Sequence, residues 1–216
     1  CMTKLIADQA GVVQAKWVMV TRAGYHHAFD TTLQQVEQAF SYPVFVKPAG
    51  TGSSVGVSKA RDRDGLVQAL ESALQYDNKV LVEEFIDGKE VECAILGNET
   101  PMASICGEID SGADFYDYEA KYISDTSSLY IPARIDDAVQ EQVRNTAVQI
   151  YEALGCRGLS RVDFFGKADG SVIFNEINTI PGFTSISMYP KLFEASGIPY
   201  GALIDQLLEL AMEPKE

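Results

Sequence analysis

The chain has 216 residues, 46% hydrophobic and 22% charged, a balance that supports a folded core and excludes a disordered polymer. Its 17 Lys and Arg stand against 31 Asp and Glu, a formal net charge of −14, which repels phosphate backbones and makes nucleic acid a poor partner. No apolar run approaches the roughly 20 residues that a membrane-crossing helix needs, so no membrane partner is expected.

Residues 1–12 read as a short helix ending at Gly11, followed by an extended stretch through Trp17–Val20. Asp30 is placed to cap a helix over 31–40, with Leu33, Val36 and Phe40 on one face. A strand signal at 42–46 leads into the small-residue loop 48–54 and a second strand at 55–58. Residues 63–76 carry an amphipathic helical pattern, and strands at 79–85 and 90–96 flank the turn Asp87-Gly88. The second half opens with a strand near 102–109, followed by a polar, aromatic loop at 111–128 long enough to serve as a flap. Val139, Val143, Ala147, Ile150 and Leu154 recur at helical spacing and predict a helix over 137–154. A hairpin of 159–165 and 171–177 follows, joined by a four-residue turn at 167–170, and the tail holds helices including 200–212. Strands and helices mix without a regular βαβ rhythm, which predicts an α+β fold. The expected division is a smaller lobe over 1–100 and a larger one over 101–216.

The four cysteines, Cys1, Cys93, Cys106 and Cys156, show no CxxC pair and no metal-ligand spacing. They read as reduced thiols, with the cytoplasm as the default location. No signal peptide is visible, and the chain opens at Cys1 rather than Met, which reads as a fragment or a chain whose upstream part is missing.

The densest chemistry lies in Arg161-Val-Asp163-Phe-Phe165 and Phe174-Asn-Glu176-Ile-Asn178. Alternation puts Arg161, Asp163 and Phe165 on one strand face and Phe174, Glu176 and Asn178 on one face of the next. The four-residue turn pairs Asp163 with Phe174 and Arg161 with Glu176, so both sets share a face, and a one-residue slip separates them. Two carboxylates and an amide oxygen on a partly buried face repel one another. A hard divalent cation such as Mg²⁺ resolves that, leaving positions for water and phosphates. The competing reading is a solvated hairpin whose acids face water.

Gly50, Gly52 and Gly56 with Ser53 and Ser54 follow Lys47 between two strand signals. Such a loop lets backbone N–H groups approach a phosphate, although it lacks the GxxxxGK[ST] pattern and also fits an ordinary turn. Lys47 is either a charge aimed at phosphates or a solvated lysine. Glu83 and Glu90 could accept hydrogen bonds from an adenine amino group or ribose hydroxyls, or simply face water. In Phe115-Tyr-Asp-Tyr-Glu-Ala-Lys-Tyr122, four aromatics surround Lys121, a composition that suits a closing flap or a packed loop. The Gly182 N–H could stabilise an oxyanion, and Ser187 near a helix start could hold a carboxylate. A serine nucleophile is disfavoured: His26 and His27 are the only histidines and there is no GxSxG elbow.

The strings FVKPAGTGSSVGVSKA, VLVEEFIDGKEVECAILG, DFYDYEAKY, LGCRGLSRVDFF and NEINTIPGFTSISMYP, in this order and spacing, resemble the ATP-grasp ligases of the D-alanine–D-alanine ligase family. The resemblance spans nearly the whole chain. It implies an ATP-grasp architecture in which two lobes with mostly antiparallel sheets clamp ATP. It implies that Lys47 and Lys121 bind phosphates, that Glu83 with Phe85 and Ile86 lines the adenine site, that Glu90 holds the ribose, and that Phe165 also contributes to ATP binding. Asp163, Glu176 and Asn178 would ligate two Mg²⁺ ions, with Mn²⁺ as a substitute. Arg161 and the Gly182 backbone would stabilise the tetrahedral oxyanion. Ser187 would bind the carboxylate of the second D-alanine, and Ser53 with Tyr122 would order the flap.

The implied reaction phosphorylates one D-alanine and joins it to a second, for peptidoglycan precursor synthesis. Other readings are a D-alanine–D-serine ligase, another carboxylate–amine ligase and a nucleotide-binding module without ligation. Two departures qualify the resemblance. Members carry an N-terminal domain of about a hundred residues that is not in this sequence, and Thr3-Lys4 follows Cys1-Met2 where the family usually has Asp-Lys, so Lys4 is assigned no role. Relatives are commonly homodimers.

Overall fold

The computed structural model describes residues 1–110, 128–184 and 186–214. Their strands form two antiparallel sheets, and the chain divides into two compact units, with one passage between Ile86 and Asp87. Helix α1 (Met2–Gln9) belongs to the second unit and β1 (Trp17–Thr21) to the first.

In the first unit, β1 is followed by α2 (Arg22–His27), α3 (Phe29–Ala39), β2 (Val44–Pro48), β3 (Ser58–Ala60), α4 (Arg63–Tyr76) and β4 (Lys79–Glu84). The four strands order β1-β4-β2-β3. Along β2, Val44 and Val46 are buried while Phe45 and Lys47 are half-buried, the period-2 signature of a sheet packed on one side. That buried side meets Leu33 and Val36 of α3 and Leu66, Ala69, Leu70 and Ala73 of α4. Asp62 starts α4 by accepting from the Gly65 N–H at 2.8 Å. Two sequence expectations shift here. The residue before α3 is Ala28, and Asp30 sits in the first turn, where its charge still favours the positive helix end. The strand expected at 55–58 begins only at Ser58. Ser53 and Ser54 take left-handed angles and Gly56 has φ 73°, while Val55 N–H donates to Gly52 O and Val57 N–H to Ser54 O, so this stretch is wound into successive turns. The six-residue α2 was too short to leave a periodic signal.

The second unit contains β5 (Lys89–Gly97), β6 (Met102–Asp110), β7 (Ser128–Tyr130), α5 (Asp137–Ala153), β8 (Gly158–Gly166), β9 (Val172–Asn178), α6 (Met188–Ala195) and α7 (Tyr200–Met212). Its sheet orders β7-β6-β5-β8-β9. Val143, Ala147, Ile150 and Tyr151 of α5 pack with Val91, Cys93, Ile95, Val162, Phe164 and Phe174 in one core. Helix α6 lies against the other face: a Cβ on Gly107, whose strand partner is Glu92, would stand 2.8 Å from Leu192 Cδ2. That approach requires glycine. Near the β6–β7 edge, buried Glu108 accepts from Arg134 at both its side chain (2.6 Å) and backbone N–H (2.8 Å), with Lys89 Nζ 3.4 Å away. Burial pushes the Glu108 carboxyl up, but those donors outweigh it and hold it below the ordinary value of 4.5.

Candidate active site

Strand pairing collects the acids of the second unit on one sheet face. Glu90 lies opposite Phe165, Glu92 opposite Asp163 and Ala94 opposite Arg161 across β5 and β8. Across β8 and β9, Asp163 faces Glu176 and Arg161 faces Asn178. Directly opposed residues share a face, so Glu90, Glu92, Arg161, Asp163, Phe165, Glu176 and Asn178 all point to the side on which α6 packs.

This arrangement corrects the hairpin register expected from sequence. The connection spans five residues rather than four, because Asp169 accepts from the Ser171 N–H (3.0 Å) and hydroxyl (2.5 Å) and holds Ser171 in the turn, leaving Val172 to pair with Gly166. A second one-residue step falls in β9 between Phe174, opposite Phe164, and Glu176, opposite Asp163. Asn175 is the extra residue, and the irregularity is a β-bulge. Two single-residue steps cancel in parity. Glu176 and Asn178 therefore keep the face predicted for them, whereas Phe174 does not: it turns into the core, 1% exposed, edge-on to Phe164 at 5.9 Å.

Arg161 is the centre of the face. Its Nε donates to Asp163 Oδ1 at 2.8 Å and its Nη2 to Asp163 Oδ2 at 2.7 Å, and Nε lies 3.0 Å from Glu92 Oε1. Burial works against the guanidinium's charge, but the Asp163 and Glu92 carboxylates outweigh it and hold its proton above the ordinary arginine range. Asn178 Nδ2 donates to Asp163 Oδ2 at 3.1 Å and to Glu176 Oε1 at 3.4 Å, which ties the three candidate ligands together. Among the described residues no three His, Cys, Asp or Glu side chains are close enough to share a metal; the set here is two carboxylates and an amide. All are oxygen donors on a face with excess negative charge, the donor chemistry of Mg²⁺ or Mn²⁺ rather than of a softer metal. Glu92, just two residues after Glu90, escaped sequence reasoning, although the Glu-Val-Glu alternation already put both acids on one face.

Gly182 and Ser187 precede α6, on the same side of the sheet. Ser187 is the N-cap position, and its Oγ accepts from the Thr184 N–H at 3.0 Å. A Cβ at Gly182 would come within 2.9 Å of that Oγ, so the glycine backbone and the serine hydroxyl lie together at the helix start.

In the first unit, the sheet face away from the helices carries Lys47, Glu83 and Phe45. Lys47 Nζ pairs with Glu83 Oε2 at 2.6 Å. The residues expected to bind phosphate and adenine are thus brought together on β2 and β4. Phe85 and Ile86 continue from β4 half-buried, with the Phe85 ring stacked on Phe45 at 6.1 Å and Lys59 Nζ 4.1 Å above it. Ser53 sits at the crest of the glycine loop in its left-handed conformation. Lys121, Tyr122 and the rest of the expected flap at 111–127 lie outside the described residues.

The two antiparallel sheets with their helices form an α+β, ATP-grasp fold. It superposes on a D-Ala:D-Ser ligase, VanG of Enterococcus faecalis, with a TM-score of 0.87 at 38% identity, covering 96% of this chain and 60% of that one. A D-alanine–D-alanine ligase of Coxiella burnetii aligns with a TM-score of 0.82 at 34% identity, over 97% and 55% of the two chains. The chain belongs to the D-alanine–D-alanine ligase family: the family model described as "D-ala D-ala ligase C-terminus" matches residues 6–209. Relatives named D-alanine–D-alanine ligase in Acetivibrio thermocellus and Chlorobium limicola are 54% and 52% identical over 97% and 100% of this chain. The chain spans 56% and 60% of the length of those two relatives. Among the described residues no helix is long and apolar enough to cross a membrane.

Proposed function

We propose that this chain is the ATP-binding and catalytic region of an ATP-dependent ligase that joins two D-alanines in the cytoplasm for peptidoglycan precursor synthesis. The observation that carries this reading is the single sheet face on which Arg161, Asp163, Glu176 and Asn178 converge.

Asp163, Glu176 and Asn178 hold two Mg²⁺ ions, with Mn²⁺ able to substitute. Bound there, the metal neutralises phosphate charge and makes the terminal phosphoryl group transferable. The chain's own groups do the rest. Lys47, together with Lys121, steadies the nucleotide phosphates, and the Gly50–Gly56 loop brings N–H groups close to them. Glu83, Phe85 and Ile86 receive the adenine, Glu90 accepts from the ribose hydroxyls, and Phe165 contributes to nucleotide binding. The first D-alanine carboxylate takes the terminal phosphoryl group and becomes an acyl phosphate. The amine of the second attacks that carbonyl, phosphate leaves, and the amide forms. Arg161 and the Gly182 N–H stabilise the oxyanion of the tetrahedral intermediate. Ser187 positions the second substrate's carboxylate at the N-terminus of α6. Ser53 and Tyr122 order the flap that keeps water from the acyl phosphate.

A second reading, favoured by the likeness to a D-Ala:D-Ser ligase, takes D-serine as the second substrate. Supplying D-alanine alone or with D-serine, and identifying the dipeptide by mass spectrometry, separates the two. Glu176→Gln tests the metal assignment: it abolishes D-alanine-dependent phosphate release and Mn²⁺ binding while the circular dichroism spectrum stays that of the parent. Normal turnover by this variant refutes the assignment.

A further inference from the structure

Asp163 carries two duties that compete. Both its oxygens are engaged by Arg161, and Oδ2 also accepts from Asn178. A carboxylate so occupied is a poor ligand for a cation unless the guanidinium has somewhere else to rest. Glu92 supplies that place. It stands directly across the β5–β8 pair from Asp163, its side chain is 1% exposed, and its Oε1 is 3.0 Å from the same Nε that reaches Asp163. Strand β5 is paired on both edges, so the Glu92 backbone is fixed. The residue opposite Arg161 is Ala94, whose small side chain leaves the guanidinium room beside Glu92.

Charge points the same way. Four carboxylates of this face, Glu90, Glu92, Asp163 and Glu176, stand beside the Arg161 guanidinium, an excess of negative charge that divalent cations offset. We infer that Glu92 is a positioning residue: it keeps Arg161 on the sheet face when Asp163 turns to the metal, so that the same aspartate need not serve both. This rests on the metal reading given above.

The test is Mn²⁺ binding to the full chain with a non-hydrolysable ATP analogue, followed by electron paramagnetic resonance, on Glu92→Gln, Arg161→Met and the double variant, with Glu176→Gln as control. Partners that orient metal ligands typically change affinity about 10- to 100-fold when lost. Glu92→Gln is expected to weaken Mn²⁺ binding at least about tenfold, because Arg161 then loses its Glu92 partner and stays on Asp163. Arg161→Met binds Mn²⁺ no more weakly than the parent, and adding Glu92→Gln to it changes little, which a merely structural role for Glu92 would not produce. Glu92→Asp, which keeps the charge, recovers part of the loss and does not depend on the arginine variant folding. Parental Mn²⁺ affinity in Glu92→Gln, with the loss confined to Glu176→Gln, overturns the role of Glu92 alone. Parental affinity in Glu176→Gln overturns the metal reading and this inference with it.

Discussion

Replacing Arg161 with Met removes the positive charge that bridges Glu92 and Asp163. Their side chains are 1% and 3% exposed, and that of Arg161 is 17% exposed, so water does little to replace the lost partner. Breaking a buried ion pair from one side costs about 3–5 kcal/mol, since the remaining charge stays buried without compensation. Here the buried carboxylates of Glu92 and Asp163 both lose the guanidinium, while Asp163 keeps the Asn178 amide. For a chain of this length each kcal/mol moves the unfolding midpoint by about 2–4 °C, so the variant should melt roughly 6–20 °C lower than the parent. Far-UV circular dichroism at neutral pH measures this, and urea titration should show a lower midpoint at unchanged slope. Mg²⁺ with ATP should restore part of the loss, because a bound cation supplies the missing positive charge and stabilises the folded state in proportion to its occupancy. On the ligase reading proposed above, D-alanine-dependent phosphate release should fall at least about a hundredfold, because Arg161 would no longer stabilise the oxyanion. A variant within about 1 kcal/mol of the parent would refute the reasoning, because the fork would then behave like a solvated surface pair.

Glu108→Gln should destabilise the protein most at neutral pH. The Glu108 carboxyl is held below its ordinary value of 4.5 in the fold, so its ionic contribution is present above that value and is lost as pH falls through the lowered folded one. Unfolding measured from pH 7 to pH 3 should therefore show the gap between parent and variant closing, and a gap that widens in acid contradicts the assignment. Phe164→Ala, which empties a site 0% exposed and edge-on to Phe174, should cost about 3–5 kcal/mol in urea unfolding. Gly56→Ala forces a side chain onto φ 73° with its Cβ 2.6 Å from Tyr76 Cδ2; a loss of about 1–3 kcal/mol and weaker nucleotide binding by calorimetry are expected, and unchanged affinity would separate this loop from the phosphates.

The amino-acid order alone determined the long periodic elements, α4, α5 and the central strands, because their apolar spacing leaves a single face to bury. It also determined the family, since short strings around Lys47, Glu83, Arg161 and Glu176 identify it without any geometry. The short α2, the late start of β3 and the cap of α3 were decided by local backbone preferences too brief to leave a pattern. What only the tertiary structure decided was the meeting of the acids. Their face depended on two single-residue steps, one in the turn at Asp169–Ser171 and one at Asn175, which arise from a side-chain hydrogen bond and from the burial of Phe174 against Phe164. Alternation within a strand is local, but the partner a strand meets is chosen by the core it must fill. That is why the pairings of Arg161 with Glu92 and of Lys47 with Glu83 came into view only once the sheets were assembled.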